Sequence, residues 1–314
     1  MPEIVNLAGP PAFDLAVPDR GYRWWYLDAV SDDGRHALVI IAFVGSVFSP
    51  YYYRARQTGP GVAEQHCAIN VALYGPGSRW AMTERDSGAI QRSPDRFRVG
   101  PSQVHWDGTR LTYDLRERCT PWGQALRGQV IAHPRAACDL DVRLDAAGHH
   151  AWRPWSPLAD VEVNLETPAL RWRGTAYLDA NAGSEPLEAA FSTWDWSRTV
   201  GRVPGQVLHY EVRDPDQSER LFCYRVAPDG AFEETEPAPA QSQSLTGWRV
   251  RRGVRSGHEI SADRRLEDTP FYARSLFPGP SEVVHTVHET LDMNRFVAPW
   301  VRRLLPFRMP RRTS

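Results

Sequence analysis

Residues 171–197 are RWRGTAYLDANAGSEPLEAAFSTWDWS, and this stretch decides how the rest of the chain is interpreted. Tyr177 and Asp179 stand two positions apart in it, and so do His150 and Trp152 in the segment just before it. On an extended strand, residues two apart point to the same face. If both segments are strands that face one interior, an acid, an imidazole, an indole and a phenol converge in an apolar cavity.

The composition is that of a globular protein long enough to bury a sizeable core. Of the 314 residues, 42% are hydrophobic and 24% are charged, which is typical of a soluble chain. The net charge of −1 gives no global reason to expect nucleic acid as a partner. The four cysteines lie far apart without a CxxC motif, which indicates a reducing compartment and neither a disulfide framework nor structural zinc.

The N-terminal residues and the apolar runs indicate a cytosolic protein whose membrane contact, if it has any, is peripheral. The first residues, MPEIVNLAGPPAF, have neither the basic nor the apolar region of a signal peptide. The longest apolar run, residues 37–48, is too short to span a bilayer.

Short alternating hydrophobic runs predict an all-β protein. The chain contains 12 Trp, 11 Tyr, 11 Phe, 26 Pro and 23 Gly, and sustained helical periodicity is almost absent. The Asp-Gly pair at residues 33–34 is a strong hairpin signal between runs at 22–30 and 36–47. Residues 49–53, SPYYY, break the pattern as a barrel rim would. The spacing favours barrels or sandwiches, and the lack of a glycine-rich strand-to-helix turn argues against a nucleotide site.

A glycine- and proline-containing segment at residues 200–205 predicts a boundary between two all-β domains. We expect an N-terminal domain of residues 1–199 that carries the site, and a C-terminal domain of residues 200–314. The latter ends in a basic aromatic tail, residues 296–312, FVAPWVRRLLPFRMPRR. Two interpretations of this tail stay open: an amphipathic segment seated at an anionic membrane surface, or a terminal helix docked on the body with its arginines extended to water.

Several longer motifs resemble the bacterial carotenoid 1,2-hydratases, also called hydroxyneurosporene synthases, from about residue 20 to the C-terminus. They are residues 24–29 (WWYLDA), 41–51 (IAFVGSVFSPY), 70–75 (NVALYG) and 304–310 (LLPFRMP). A Gly-x-x-Tyr-x-Asp-x-Asn-x-Gly block at residues 174–183 is similar to that of a wider lipocalin-like superfamily, which includes pericyclases acting on polyenes.

The resemblance implies two lipocalin-like β-barrel or sandwich domains and an acyclic carotene, neurosporene or lycopene, as substrate. The implied reaction adds water to the terminal C1=C2 double bond without a cofactor or metal and gives a tertiary alcohol. The implied location is the cytoplasmic side of the inner, photosynthetic membrane. The His-x-Trp and Tyr-x-Asp pairs that the family uses in catalysis correspond to His150 with Trp152 and to Tyr177 with Asp179. The adjacent His149 is an alternative to His150 as the catalytic imidazole.

Hydration of an unactivated alkene requires protonation of carbon, so the site needs an acid, a means to stabilise a tertiary cation, and one water. Burial in an apolar cavity raises the pKa of a carboxyl group, which makes Asp179 the candidate acid. Trp152 and Tyr177 can face the cation with their rings. His150 can accept a proton from water or tune Asp179 by hydrogen bonding. Without the resemblance, the same residues fit a turn aspartate, core aromatics and a solvated histidine.

A second tier of candidates would line the cavity. YLDA occurs at residues 26–29 and again at 177–180, which is a faint internal echo that chance could also produce. The residues that would line the same cavity, or its mirror in a duplicated barrel, are Trp24, Trp25, Tyr26 and Asp28. Those that would orient the acid or shape the pocket are Asn181, Trp194 and Trp196.

Other features bound the function. His285 and His288 are three apart in a strand-like run and so face opposite sides, which is a poor metal site. Two alternatives to a hydratase remain: a lipocalin-like carrier of hydrophobic ligands, which needs no buried acid, and a cyclase or pericyclase, whose product has the mass of its substrate.

Overall fold

The computed structural model describes residues 11–202, 205–260 and 263–313. By contacts the chain divides into two compact units. Unit 1 comprises the residues up to Pro186 together with those from Arg303 onward, and unit 2 comprises Leu187–Arg302. Both units are built mainly of antiparallel strands, so the all-β prediction is confirmed.

Unit 1 contains most of the strands. Their bounds are β1 Tyr22–Ser31, β2 Ala37–Val44, β3 Cys67–Tyr74, β4 Arg79–Met82, β5 Glu84–Arg85, β6 Ile90–Ser93, β7 Arg96–Val99, β8 Ser102–Trp106, β9 Leu111–Arg118, β10 Ala125–Pro134, β11 Val142–Arg143, β12 His150–Thr167 and β13 Leu170–Gly183. Helix α1, Pro50–Thr58, and the short 3-10 helices Ala63–Gln65 and Ser87–Ala89 connect them.

Unit 2 and the C-terminus complete the order of elements. Unit 2 begins with helix α2, Leu187–Ala190, and continues with β14 Thr193–Gly201, β15 Gln206–Arg213, β16 Glu219–Val226, β17 Phe232–Glu234, β18 Gln241–Ser242, β19 Gly253–Val254, β20 Arg264–Asp268, β21 Tyr272–Pro278, β22 Val283–Asp292 and helix α3 Met293–Phe296. Helix α4, Pro299–Arg308, and strand β23, Arg311–Arg312, follow. The described strands β14–β17 and β20–β22 form a seven-stranded sheet in the order β17-β16-β15-β14-β22-β21-β20.

The strands of unit 1 form a 14-stranded sheet among the described residues. Its order is β23-β5-β3-β2-β1-β13-β12-β10-β9-β8-β7-β6, with β4 paired to β3 and β11 to β12. Strand β1 lies near the middle, between β2 and β13, and each of its ten residues is buried. Both faces of this strand are therefore covered, and alternate residues serve different environments.

One face of the central strands builds the hydrophobic core of unit 1. Trp25, Leu27 and Ala29 of β1 belong to this core, as do Leu178 and Ala180 of β13. The intervening residues point to the opposite face because side chains alternate along a strand. That opposite face carries the polar and aromatic residues of the candidate site.

The two YLDA sequences lie side by side in adjacent antiparallel strands. The register of β1 and β13 places Tyr26 opposite Asp179 and Asp28 opposite Tyr177. The two copies of the repeated YLDA sequence are thus paired within one sheet. They do not belong to separate barrels. The strands approach closely at Gly174, where an added Cβ atom would lie 2.0 Å from the carbonyl oxygen of Val30.

Of two local predictions, one is confirmed and one needs correction. The hairpin at Gly34 (φ +66°) forms as predicted, but the 49–53 segment begins a helix instead of a simple break at a rim. Ser49 caps α1 by accepting hydrogen bonds from the backbone N–H groups of Tyr51 and Tyr52, and Pro50 occupies the first turn. Both are preferred helix-start residues.

The boundary predicted at residue 200 falls inside strand β14, which runs from Thr193 to Gly201. The contacts instead divide the chain between Pro186 and Leu187. The predicted C-terminal domain also loses its last residues to unit 1, because β23 adds to β5 as a parallel strand. Gly201 therefore ends a strand, and Val203 and Pro204 lie outside the described residues.

Helix α4 divides into a buried face and an exposed face. Val301 and Leu305, spaced four apart, are buried, and so is Met309 directly after the end of the helix. Helical residues three or four apart share a face, so this stripe holds the helix to the protein.

Candidate active site

Three of the four predicted catalytic side chains meet in one hydrogen-bonded cluster, which we call the acid cluster: Trp152, Tyr177 and Asp179. The Tyr177 hydroxyl donates to Asp179 Oδ2 over 2.8 Å. The Trp152 indole Nε1–H is shared between Asp179 Oδ2, at 3.0 Å, and Tyr177 Oη, at 3.1 Å. One carboxyl oxygen thus accepts two hydrogen bonds from aromatic donors.

The acid cluster is removed from solvent. Trp152 and Tyr177 are fully buried, and Asp179 is 5% exposed. Trp152 lies on β12 immediately before an irregularity in its pairing with β13, between Arg153 and Ser156. Bulges of this kind are common beside active sites, where they direct a side chain. Burial favours the neutral acid, while the two donors stabilise the carboxylate that remains after the proton has left.

His150 occupies a second point on the same face. It pairs with Gly183, four residues along β13 from Asp179. Its Nδ1 is hydrogen-bonded to the Tyr22 hydroxyl at 2.9 Å, and its Nε2 lies 3.6 Å from Glu185 Oε1. The two ring nitrogens therefore face Tyr22 and Glu185, and tuning of Asp179 by His150 stays a prediction.

The structure distinguishes the two adjacent histidines. His150 is fully buried, whereas His149 is partly exposed and its Nδ1 lies 3.2 Å from Glu185. The carboxylate of Asp145 accepts the backbone N–H groups of both, at 3.0 Å from His149 and 2.7 Å from His150. This clamp fixes the start of β12 and directs only the second imidazole to the site face.

Glu185 supplies a negative charge beside the His150 ring. The neighbouring rings, His150 first and then His149, hold the pKa of Glu185 below its usual range. An ionised carboxylate favours a proton on the imidazole nitrogen that faces it, here Nε2. In the tautomer with the proton on Nε2, the Tyr22 hydroxyl donates to Nδ1, the acceptor nitrogen.

Gly183 makes room for the contact between Tyr22 and His150. A Cβ atom at this position would lie 2.4 Å from Tyr22 Cε1 and 2.7 Å from His150 Nδ1. Real Cβ contacts are essentially never so short, so any side chain here would displace one of the two rings. The last glycine of the 174–183 block therefore has a packing function in the site.

Four of the predicted substrate-binding residues share the face of the acid cluster. In the register of β1 with β13, Trp24 lies opposite Asn181, Tyr26 opposite Asp179 and Asp28 opposite Tyr177. The Tyr26 and Tyr177 rings are edge to face with centroids 6.2 Å apart. These residues give the acid an aromatic and largely dry surrounding.

Of the other three, Trp25 lies on the opposite face of β1 and two belong to unit 2. Trp25 points into the core of unit 1, where its Nε1 donates to the Pro11 carbonyl over 2.6 Å and its ring packs on Phe13. Trp194 and Trp196 lie on β14 of unit 2, and the Trp194 ring packs on Tyr210 there. The prediction for Trp25 failed because adjacent residues of a strand face opposite sides.

Four contributors were missed by the sequence analysis: Tyr22, Asp145, Gly183 and Glu185. Tyr22 is 128 residues from His150 in the chain, and only knowledge of which strands pair could join them. Gly183 could have been predicted to share the site face, because it lies two positions beyond Asn181 in the same strand. Asp145 and Glu185 lie in loops, for which strand alternation makes no prediction.

No group of three or more His, Cys, Asp or Glu side chains in the described residues is arranged to hold a metal ion. No described helix is long and apolar enough to cross a membrane.

Comparison with known proteins gives consistent matches. The sequence model of the family "Carotenoid hydratase CrtC" matches residues 40–314. The chain is 47% identical over 307 residues to the acyclic carotenoid 1,2-hydratase of Thiocapsa roseopersicina, covering 96% of this chain and 76% of that protein. It is 46% identical over 313 residues to the Rubrivivax gelatinosus protein of the same name, covering 97% and 77%.

A solved structure is similar in fold. The AttH-like protein from Nitrosomonas europaea superposes with a TM-score of 0.60 at 13% identity, covering 87% of this chain and 92% of that one. At this identity the match bears on the fold alone, and it supports the lipocalin-like architecture.

Proposed function

Since the chain belongs to the carotenoid hydratase family, we propose that it adds water to the terminal C1=C2 double bond of an acyclic carotene, neurosporene or lycopene, to give a tertiary alcohol. The observation that carries the proposed mechanism is the acid cluster, in which a buried aspartic acid accepts two aromatic hydrogen bonds on one oxygen.

Asp179 protonates the alkene carbon. Because Oδ2 already accepts hydrogen bonds from Tyr177 and Trp152, the transferable proton belongs on Oδ1. The proton moves to C2, the π electrons form the new C–H bond, and C1 becomes a tertiary cation. The two donors stabilise the carboxylate as its charge develops, which strengthens the acid at the moment of transfer.

Aromatic rings stabilise the cation. Trp24 and Tyr26 share the face of Asp179, and each ring that faces the cation contributes roughly 0.5–2 kcal/mol by cation–π attraction. The Asp179 carboxylate left after proton transfer adds a charge of opposite sign nearby. Burial excludes bulk water, so the cation meets only a water that the site admits.

The hydrating water gives its proton to His150. Its oxygen bonds to C1 and one of its protons leaves through the Tyr22 hydroxyl to His150 Nδ1, while Glu185 stabilises the imidazolium from the Nε2 side. Return of that proton to Asp179 through solvent closes the cycle. The sum is the addition of H and OH to one double bond, so the steps require no oxidant or reductant.

The test of the function is mass analysis of carotenoids after incubation of the purified protein with lycopene or neurosporene in detergent or lipid. We expect a product heavier than its substrate by one water. Bound carotene of unchanged mass would indicate a carrier, and an isomer would indicate a cyclase or pericyclase. Either result would overturn the hydratase proposal.

A membrane surface is the proposed source of the substrate. The exposed face of α4 carries Trp300, Leu304 and Phe307, which are 44%, 43% and 76% exposed and share one side of the helix by their spacing. We call these three residues the α4 stripe. Arg302 and Arg303 flank it, and such a combination favours peripheral binding to anionic lipid.

Replacement of Leu304 and Phe307 by Asp should weaken binding to phosphatidylglycerol vesicles by at least about tenfold, as measured by co-sedimentation. The reason is the loss of buried apolar area together with two added negative charges. Point changes are preferable to deletion of the tail, because β23 is part of the unit 1 sheet. Trp122, 83% exposed in a loop, supplies the control Trp122→Ser. Equal losses in both variants, or none in the double variant, would refute binding through the α4 stripe.

A further inference from the structure

A cavity of about 1100 Å³ opens in unit 1 and is lined by none of the acid cluster residues. Six arginines contribute to its lining, and we call it the arginine cavity. They are Arg85, Arg98, Arg116, Arg118, Arg127 and Arg312. Binding of a neutral carotene does not require such a concentration of guanidinium groups.

The cavity's own carboxyl groups do not neutralise these arginines. Only Asp114, Glu117 and Glu166 line it alongside the six cations. The two oxygens of Asp114 accept side-chain amide hydrogen bonds from Gln103 and Gln129, each over 2.9 Å. Over the described residues, Arg85, Arg116, Arg127 and Arg312 form no ion pair within 4.0 Å. The cavity therefore carries excess positive charge.

Two of the six arginines, Arg85 and Arg312, are neighbours in the sheet. They lie opposite each other in the parallel pairing of β5 with β23. Arg85 is positioned by Gly100 (φ +57°), because a Cβ atom there would lie 2.2 Å from Arg85 Nε. That Nε is buried and has no hydrogen-bond acceptor among the described residues. A buried donor without an acceptor is costly, and a bound anion that accepts from it would remove this cost.

We propose that the arginine cavity is a binding site for the phosphate group of an anionic ligand, held by Arg85 and Arg312. Guanidinium groups match phosphate oxygens in a bidentate manner. The ligand is either a free phosphate compound or a phospholipid headgroup, which share this chemistry. The site stands apart from the hydration chemistry and goes beyond it.

Glu117 makes anion binding dependent on pH. It accepts a hydrogen bond from Ser102 of β8 over 2.5 Å and faces the charges of Arg85 on β5 and Arg312 on β23. Burial raises the pKa of Glu117 to about 7. An added anion disfavours the carboxylate, so binding is tightest when Glu117 is protonated and weakens as the pH rises through about 7.

The experiment measures binding of inorganic diphosphate at constant ionic strength by titration calorimetry, and of phosphatidic acid vesicles by co-sedimentation. Arg85→Gln and Arg312→Gln are each expected to weaken binding at least about tenfold. Arg54→Gln, which changes an exposed arginine of α1, is the matched control and should bind as wild type. Inorganic sulfate, whose charge is constant between pH 6 and 8, should bind severalfold more tightly at pH 6, and Glu117→Gln should remove that difference.

The two probes distinguish the source of the phosphate. Arginine-dependent binding of diphosphate in solution supports a free phosphate compound, and arginine-dependent binding of vesicles without diphosphate binding supports a headgroup. The proposal is overturned if neither probe binds, or if Arg85→Gln and Arg312→Gln weaken binding no more than Arg54→Gln does. Hydration activity in detergent should be unchanged in all these arginine variants, which separates this test from that of the hydratase function.

Discussion

Asp179→Asn is expected to lower the hydration rate by at least about 10³-fold, which corresponds to about 4 kcal/mol of transition-state stabilisation. The amide has nearly the shape of the acid, but it has no proton of sufficient acidity to transfer to carbon. General acid catalysis commonly contributes 10²–10⁴-fold, and protonation of an unactivated alkene depends on it entirely. The measurement is product formation from lycopene over time, with wild type and variant in parallel.

Two further changes grade the effect. Tyr177→Phe and Trp152→Phe each remove one donor to Asp179 Oδ2 and keep the acid itself. We expect losses of about 10–100-fold, since each charge-assisted hydrogen bond to the developing carboxylate contributes roughly 1.5–3 kcal/mol. Asp160→Asn is the matched control, because Asp160 is a half-exposed carboxylate on the neighbouring strand β12, paired with Arg135. Retained hydration in Asp179→Asn, with wild-type carotene binding, would remove Asp179 from the acid role.

Strand alternation explains how much of the site could be predicted. His150 with Trp152 and Tyr177 with Asp179 lie on one face because the period of a strand is two, and the structure places both pairs there. The same rule, applied to Trp25, would have excluded it from the cavity. The rule orders residues within one strand, so it could not show that β1 pairs with β13 and brings Tyr22 to His150.

The remaining gaps arise from loops and strand ends. Asp145 and Glu185 act from loops at either side of β12 and β13, where the sequence has no periodicity. The boundary near residue 200 was misplaced because glycine and proline are equally common at strand ends and in linkers. The C-terminal residues belong to unit 1 because the two-residue strand β23 pairs with β5. A strand of two residues is too short to be predicted from hydrophobic alternation.

His150→Gln is expected to lower the hydration rate by at least about 10²-fold. Glutamine keeps a polar side chain at the position but cannot accept a proton at neutral pH, so the water attacking C1 loses its base. Carotene binding should change little, because the acid cluster and the rings of Trp24 and Tyr26 are untouched. The measurement is kcat for lycopene hydration together with the affinity for carotene.

Tyr22→Phe tests whether the proton travels through the hydroxyl. If Tyr22 relays the proton to Nδ1, this variant should lose about as much activity as His150→Gln, and the double variant should lose no more than either alone, since residues that act as one unit are not additive. If Tyr22 only orients the ring, Tyr22→Phe retains most of the activity. A Cβ atom in Gly183→Ala would press on the rings of Tyr22 and His150. If Tyr22 only orients the ring, Gly183→Ala should therefore lose more activity than Tyr22→Phe. If Tyr22 relays the proton, the two variants should lose equal activity. Full activity in His150→Gln would refute the base role and leave the attacking water to be deprotonated by the Asp179 carboxylate.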